Sequence, residues 1–144
     1  MTVNSISNLE VFNSAIRSWN AGDLDGYLSM YDESVALHGY SPEPLNKAGV
    51  IARYTNIWAN LSMPGCKGPL LAISDVFEAD DRVVSRFTMS GVQSGSFMNF
   101  APTGKRYDLP GITILKFHDG KVIERWSCTD RLKQLMQLGV FQVP

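Results

Sequence analysis

Cysteine is scarce. Only Cys66 and Cys128 occur among 144 residues, far apart and outside any CxxC or Cys/His pattern. That spacing indicates neither a disulfide-stapled scaffold nor a zinc site, and reduced thiols of a cytoplasmic protein are the simpler reading. The two histidines, His38 and His118, lack ligand spacing, so no metal is expected. No apolar run approaches the roughly 18–20 residues that span a bilayer. The opening MTVNSISNLEVF has no basic segment leading into a long apolar one, so neither a signal peptide nor a membrane partner is expected. Charge of one sign is also missing: 13 Lys and Arg stand against 14 Asp and Glu, interspersed, for a net charge of −1. Without a basic stripe there is nothing to neutralise a phosphate backbone, which argues against nucleic acid. Gly104-Lys105 stands alone, outside any GxxxxGK spacing, and no cofactor is expected.

What is present is a globular composition, 44% hydrophobic and 19% charged. The length fits one domain, residues 1–144. Leu9, Phe12, Ile16 and Trp19 recur at helical spacing over 7–20, opened by the Ser7/Glu10 capping box and closed near Gly22. A short helix follows from Asp23 to about Tyr31, then a strand over 34–39 and a proline-rich loop at 41–44. A third helix covers 47–61. The remainder reads as four strands, LLAISDVFEA, RVVSRFTMSGV, KRYDLPGITILKF and KVIERWSC, with a hairpin tip at Asp119-Gly120, and a final helix over 130–138. Helices first and strands later predict an α+β fold. In it a curved antiparallel sheet wraps three helices as a cone, with a short C-terminal helix closing the chain. Such a cone leaves an interior suited to a small hydrophobic organic molecule.

The closing APTGKRYDLPGITILKFHDGKVIERWSCTDRLKQLMQLG resembles the SnoaL-like polyketide cyclase group, also labelled ester cyclases, of the nuclear transport factor two-like superfamily. The carrying elements are Pro102-Thr103-Gly104-Lys105, Asp119-Gly120-Lys121, Glu124 with Trp126, Asp130 and Gln137-Leu138-Gly139. Trp19-Asn20-Ala21-Gly22-Asp23 and His38-Gly39 are similar to the family as well. The resemblance implies the cone fold and a homodimer through the exposed sheet face. It also implies a general base at the acidic position seven before the QLG glutamine, here Asp130. Where those cyclases carry a histidine six residues before the hairpin Asp, this chain has Thr113.

Two readings of Asp130 stand side by side. Facing an apolar cavity, its carboxyl would be desolvated and raised toward the range of a carbon-acid base. At the Ser127/Asp130 spacing it would instead serve the first turn of the last helix. His38, at a strand end, could shuttle a proton at the cavity mouth or simply pack. Arg86 shares a strand face with Val84, Thr88 and Ser90; turned inward it would hold an enolate oxygen, turned outward it is a surface charge. Tyr27, Tyr54, Trp58, Phe97, Phe100, Thr113 and Trp126 are the expected pocket lining. Of these, Tyr54 and Trp58 lie one helical turn apart, and Trp126 shares strand parity with Cys128 and Asp130. The 93–104 stretch reads as a loop over the mouth.

Three functions follow as alternatives. The first is a cofactor-independent isomerase, lyase or cyclase moving a proton on a carbonyl-bearing substrate, with Asp130 as base and His38 or Arg86 as its aid. The second is a binding or structural module using the same cone. The third is a hydrolase, which needs a second inward acid from Glu124 or Asp108.

Overall fold

A computed structural model describes residues 6–144. Residues 1–5, where the stretch read for a leader begins, lie outside the described residues. Helix α1 (Asn8–Asn20) starts where Ser7 accepts the Glu10 amide at 3.1 Å, as the capping spacing predicts, and turns Phe12, Ala15 and Trp19 inward. Asp23 caps the short α2 (Leu24–Leu28) through the Gly26 amide. Strand β1 (Tyr31–His38), α3 (Lys47–Asn60), β2 (Leu70–Ala79), β3 (Arg82–Val92), β4 (Arg106–His118), β5 (Lys121–Thr129) and α4 (Arg131–Gln137) follow.

The sheet order is β1-β5-β4-β3-β2. The four long strands form an antiparallel meander. The first strand departs from the expected pattern: it begins at Tyr31 rather than Ser34 and pairs parallel with β5. Parallel pairing needs a long connection, and here most of the chain supplies it. Helices α1 and α3 pack on one face of the curved sheet, giving the α+β architecture expected. No helix among the described residues is long and apolar enough to cross a membrane.

Strand parity decides what the enclosed face carries. On β4 it is Tyr107, Leu109, Gly111, Thr113, Leu115 and Phe117, each buried; on β3 it is Val83, Ser85, Phe87 and Met89. A two-residue hairpin would continue this parity into β5 and place Trp126 inside opposite Thr113. A bulge intervenes: Phe117 pairs with Val122 but Lys116 with Glu124, leaving Ile123 as an extra residue. The extra residue reverses every side chain after it, so Arg125 and Ser127 point inward while Glu124, Trp126 and Cys128 point out.

Two side-chain clamps fix the helix ends. The Asn20 amide makes both backbone-like bonds to Leu71, each 2.8 Å, tying α1 to the start of β2. Gln137 does the same for α4, accepting from the Asp108 amide at 2.7 Å and donating to its carbonyl at 3.2 Å.

Candidate functional site

Arg125 is the centre of the interior. It is 6% exposed and has no carboxylate partner among the described residues. Its Nε donates to Thr113 Oγ1 at 2.8 Å, and the Thr113 hydroxyl passes a bond on to the Trp126 carbonyl at 3.0 Å. Its Nη1 donates to the phenol oxygens of Tyr27, at 2.9 Å, and of Tyr31 and Tyr54. The Tyr27 and Tyr31 hydroxyls are themselves bonded at 2.7 Å. Four side chains from α2, β1, α3 and β4 thus hold one guanidinium in place. Nη2 makes no hydrogen bond among the described residues, and Arg125 lines both inner cavities.

Arg125 stands between two inner chambers, each with about 30 Å³ open to the centres of water molecules. One is lined by Trp19, Tyr40, Ile57, Leu61, Met89 and Leu109; the other by Phe12, Ile16, Ile73, Ser85, Thr113 and Leu115. Tyr27, Leu71 and Phe87 are shared with Arg125 as the partition. The first chamber continues into a vestibule with about 300 Å³ of such space, walled by Tyr40, Arg53, Phe97, Met98, Ser127 and Arg131. No Asp, Glu or His lines any of the three spaces.

Tyr40 reaches this mouth because the chain turns at Gly39. There φ is +108°, and a Cβ would lie 2.2 Å from the Ser127 carbonyl oxygen, so only glycine passes. Arg53 lies over the Tyr40 ring at 3.6 Å and Arg131 over the Phe97 ring at 5.2 Å. The loop over the mouth is held from beneath by Gln93, which is fully buried. Its amide nitrogen donates to the Phe100 and Ala101 carbonyls, and its oxygen accepts from the Thr103 amide and hydroxyl. Gln93→Ala is expected to cost about 1–3 kcal/mol, since it strands these loop groups. Hydrogen exchange would show the loss as fast exchange confined to the Phe97 and Phe100 amides, which otherwise bond each other's carbonyls.

The phenols divide by environment. Burial pushes Tyr27, Tyr31 and Tyr54 far above the ordinary tyrosine range, despite the guanidinium beside them. Tyr40 goes the other way. Burial raises it too, but the Arg125 guanidinium, the Ser127 hydroxyl and the Arg53 and Arg131 guanidiniums together outweigh that and leave it lowered. Burial, and then the like charge of Arg53, depress Arg131.

The residues singled out in the sequence scatter. Tyr27, Tyr54, Thr113 and Phe97 line the interior. Trp58 packs edge-on to Trp19 and under Gly68, and Phe100 pairs with Phe97 in the loop; neither lines a chamber. Trp126 lies on the outer face, stacked on His38 at 5.6 Å, and His38 Nε2 meets Glu124 Oε2 at 2.8 Å there. Arg86 is outward as well, paired with Asp75 at 2.6 Å with both side chains more than half exposed. Asp130 is exposed and caps α4, accepting the Lys133 amide at 3.0 Å. The carboxylate expected on the cavity wall is therefore outside it, bonded to the Lys133 amide in the first turn of the helix. Asp108 bonds Ser90 and Arg106 on the outer face, so the second inward acid required for a hydrolase is missing too. Arg125, Tyr40, Arg53 and Arg131 were not among the expected site residues. The Gly39-Tyr40 strand end was the one local signal available for any of them.

Solved structures share this architecture at low identity. AclR, a proposed hydroxylase from Streptomyces galilaeus, is 22% identical with a TM-score of 0.82, over 94% of this chain and 97% of its own. IdmH, a proposed polyketide cyclase from Streptomyces antibioticus, is 21% identical with a TM-score of 0.76, over 94% and 100%. A SnoaL-like polyketide cyclase from Agrobacterium tumefaciens is 18% identical with a TM-score of 0.75, over 94% and 100%. No curated protein matches significantly. The family model for SnoaL-like polyketide cyclases matches residues 10–138, nearly the whole chain, and the chain belongs to that family.

Proposed function

We propose that the chain is a cofactor-independent enzyme that moves a proton on a carbonyl-bearing small molecule, with Arg125 and Tyr40 doing the chemistry. The observation that carries this reading is a buried guanidinium with no carboxylate partner and one nitrogen left for the chambers. A carbonyl oxygen placed at Nη2 gains a donor whose value rises as negative charge develops on it. Tyr40, ionised, takes a proton from the carbon beside the carbonyl, and that carbon's electron pair shifts onto the oxygen at Arg125. Returning the proton to another carbon gives an isomer; attack of the enolate carbon on a second carbonyl in the same molecule closes a ring. The apolar walls exclude water during both steps.

The test is deuterium incorporation from heavy water beside the carbonyl of aryl α-keto acids and their esters, followed by NMR. Tyr40→Phe is expected to slow incorporation by about 10²–10⁴-fold. Incorporation at the full rate in that variant would end the assignment. A binding role for the same cavity is the second reading, favoured by the narrowness of the inner chambers. It predicts ligand affinity with no exchange at all. As part of the proposal, two copies pair through the outer sheet face, where Phe77, Ile112 and Ile114 stand exposed.

A further inference from the structure

We infer that the ligand carries a carboxylate, or an anion of like charge, and that Arg53 and Arg131 clamp it in the vestibule. This deepens the reading above by fixing the charge of the molecule. Three guanidiniums, Arg53, Arg125 and Arg131, converge on one connected space, and none of them forms a salt bridge among the described residues. The overall composition does not explain this, since the net charge of the chain is −1. Partly buried charges are ordinarily paired, because leaving one unpaired in a low-dielectric site is costly. Here no Asp or Glu among the described residues lines the chambers or the vestibule.

The mouth pair is also aimed. The guanidinium of Arg53 lies against Tyr40 and that of Arg131 against Phe97, and one Arg131 nitrogen donates to Gln134. A ring packed against Arg53 at 3.6 Å offers it no acceptor, which leaves its donors for a planar anion. Arg53 Nε is buried and has no acceptor among the described residues. Both arginines wall the vestibule and the first chamber, and Arg125 lines that chamber but not the vestibule. An anionic end held by Arg53 and Arg131 leaves a neutral carbonyl for Arg125.

Cinnamate and its near-isosteric neutral amide, cinnamamide, separate these contributions when titrated by calorimetry into the wild-type chain and into Arg53→Gln, Arg131→Gln and the double variant. The wild type should prefer cinnamate by about tenfold or more, with the preference shrinking as salt rises. The double variant should bind the two compounds within about twofold of each other, with a native melting profile. Equal binding of acid and amide by the wild type, no binding of either, or a preference that survives the double substitution would each overturn the inference. An acid preference without deuterium exchange removes the proton-transfer reading alone; exchange without acid preference removes the clamp alone.

Discussion

Arg125→Met should lower the rate of proton exchange by about 10²–10³-fold, the usual loss when one oxyanion donor is removed, while the fold survives. Methionine is of similar reach and flexible enough to fill the space. Replacing a buried charge with an apolar side chain is often neutral or favourable, because the cost of desolvating that charge disappears. Against this, Thr113 loses a donor and three phenol oxygens lose the nitrogen they share. The Tyr27–Tyr31 bond remains, and Thr113 keeps its bond to the Trp126 carbonyl. The two contributions oppose each other, and the melting temperature should move little in comparison with activity. Thermal melting and the exchange assay, run on the same preparation, separate the two roles. A variant that is folded and fully active would rule out Arg125 as the oxyanion donor. Arg125→Lys discriminates further, since it keeps the charge but cannot bond Thr113 and the phenols at once.

The fold was legible because its signals are periodic. Strands β2 and β3 match the sequence reading residue for residue, the cap at Ser7 lies where spacing put it, and the short second helix opens at Asp23 as read. The site was not legible, and one residue explains much of the reason. Alternation along RYDLPGITILKFH and a two-residue tip at Asp119-Gly120 would put Trp126 inside and Arg125 outside; the extra Ile123 reverses both. Nothing in KVIERWSC marks a bulge, and an arginine is the last residue one assigns to a core without an acid to pair it. Asp130 shows the opposite situation. The Ser127/Asp130 spacing put Asp130 in the first turn of the last helix; the structure instead makes Asp130 the cap itself, accepting the Lys133 amide, and leaves Ser127 within β5. The resemblance to the family singled out this position, but the side chain there faces the solvent. Thr113, singled out in the sequence as pocket lining, is inward and accepts from the Arg125 guanidinium.

Alkaline titration should separate the five tyrosines into one and four. Tyr27, Tyr31, Tyr54 and Tyr107 are all raised, burial being the largest cause in each, so the native state keeps their protons where an unfolded chain would release them near pH 10. A raised group contributes stability that is complete below its unfolded value and is lost as pH climbs above it. Four protons held only by the native state make stability fall by about 5 kcal/mol per pH unit above pH 10. Against a total of roughly 5–15 kcal/mol, the chain should unfold within one to three units of that point. Four tyrosinate chromophores should then appear cooperatively, together with the loss of the near-ultraviolet dichroism. Tyr40 carries the opposite sign. Its lowered value means that its contribution is present above pH 10 and lost as pH falls through its native value, so its tyrosinate absorbance should rise first, in the folded protein. Tyr40→Phe should delete that early step alone. Arg125→Met should move it upward, because the first of the charges holding the phenol down is gone. If all five rose together with unfolding, Tyr40 would be an ordinary buried phenol, and the cavity would lack a group able to take the proton.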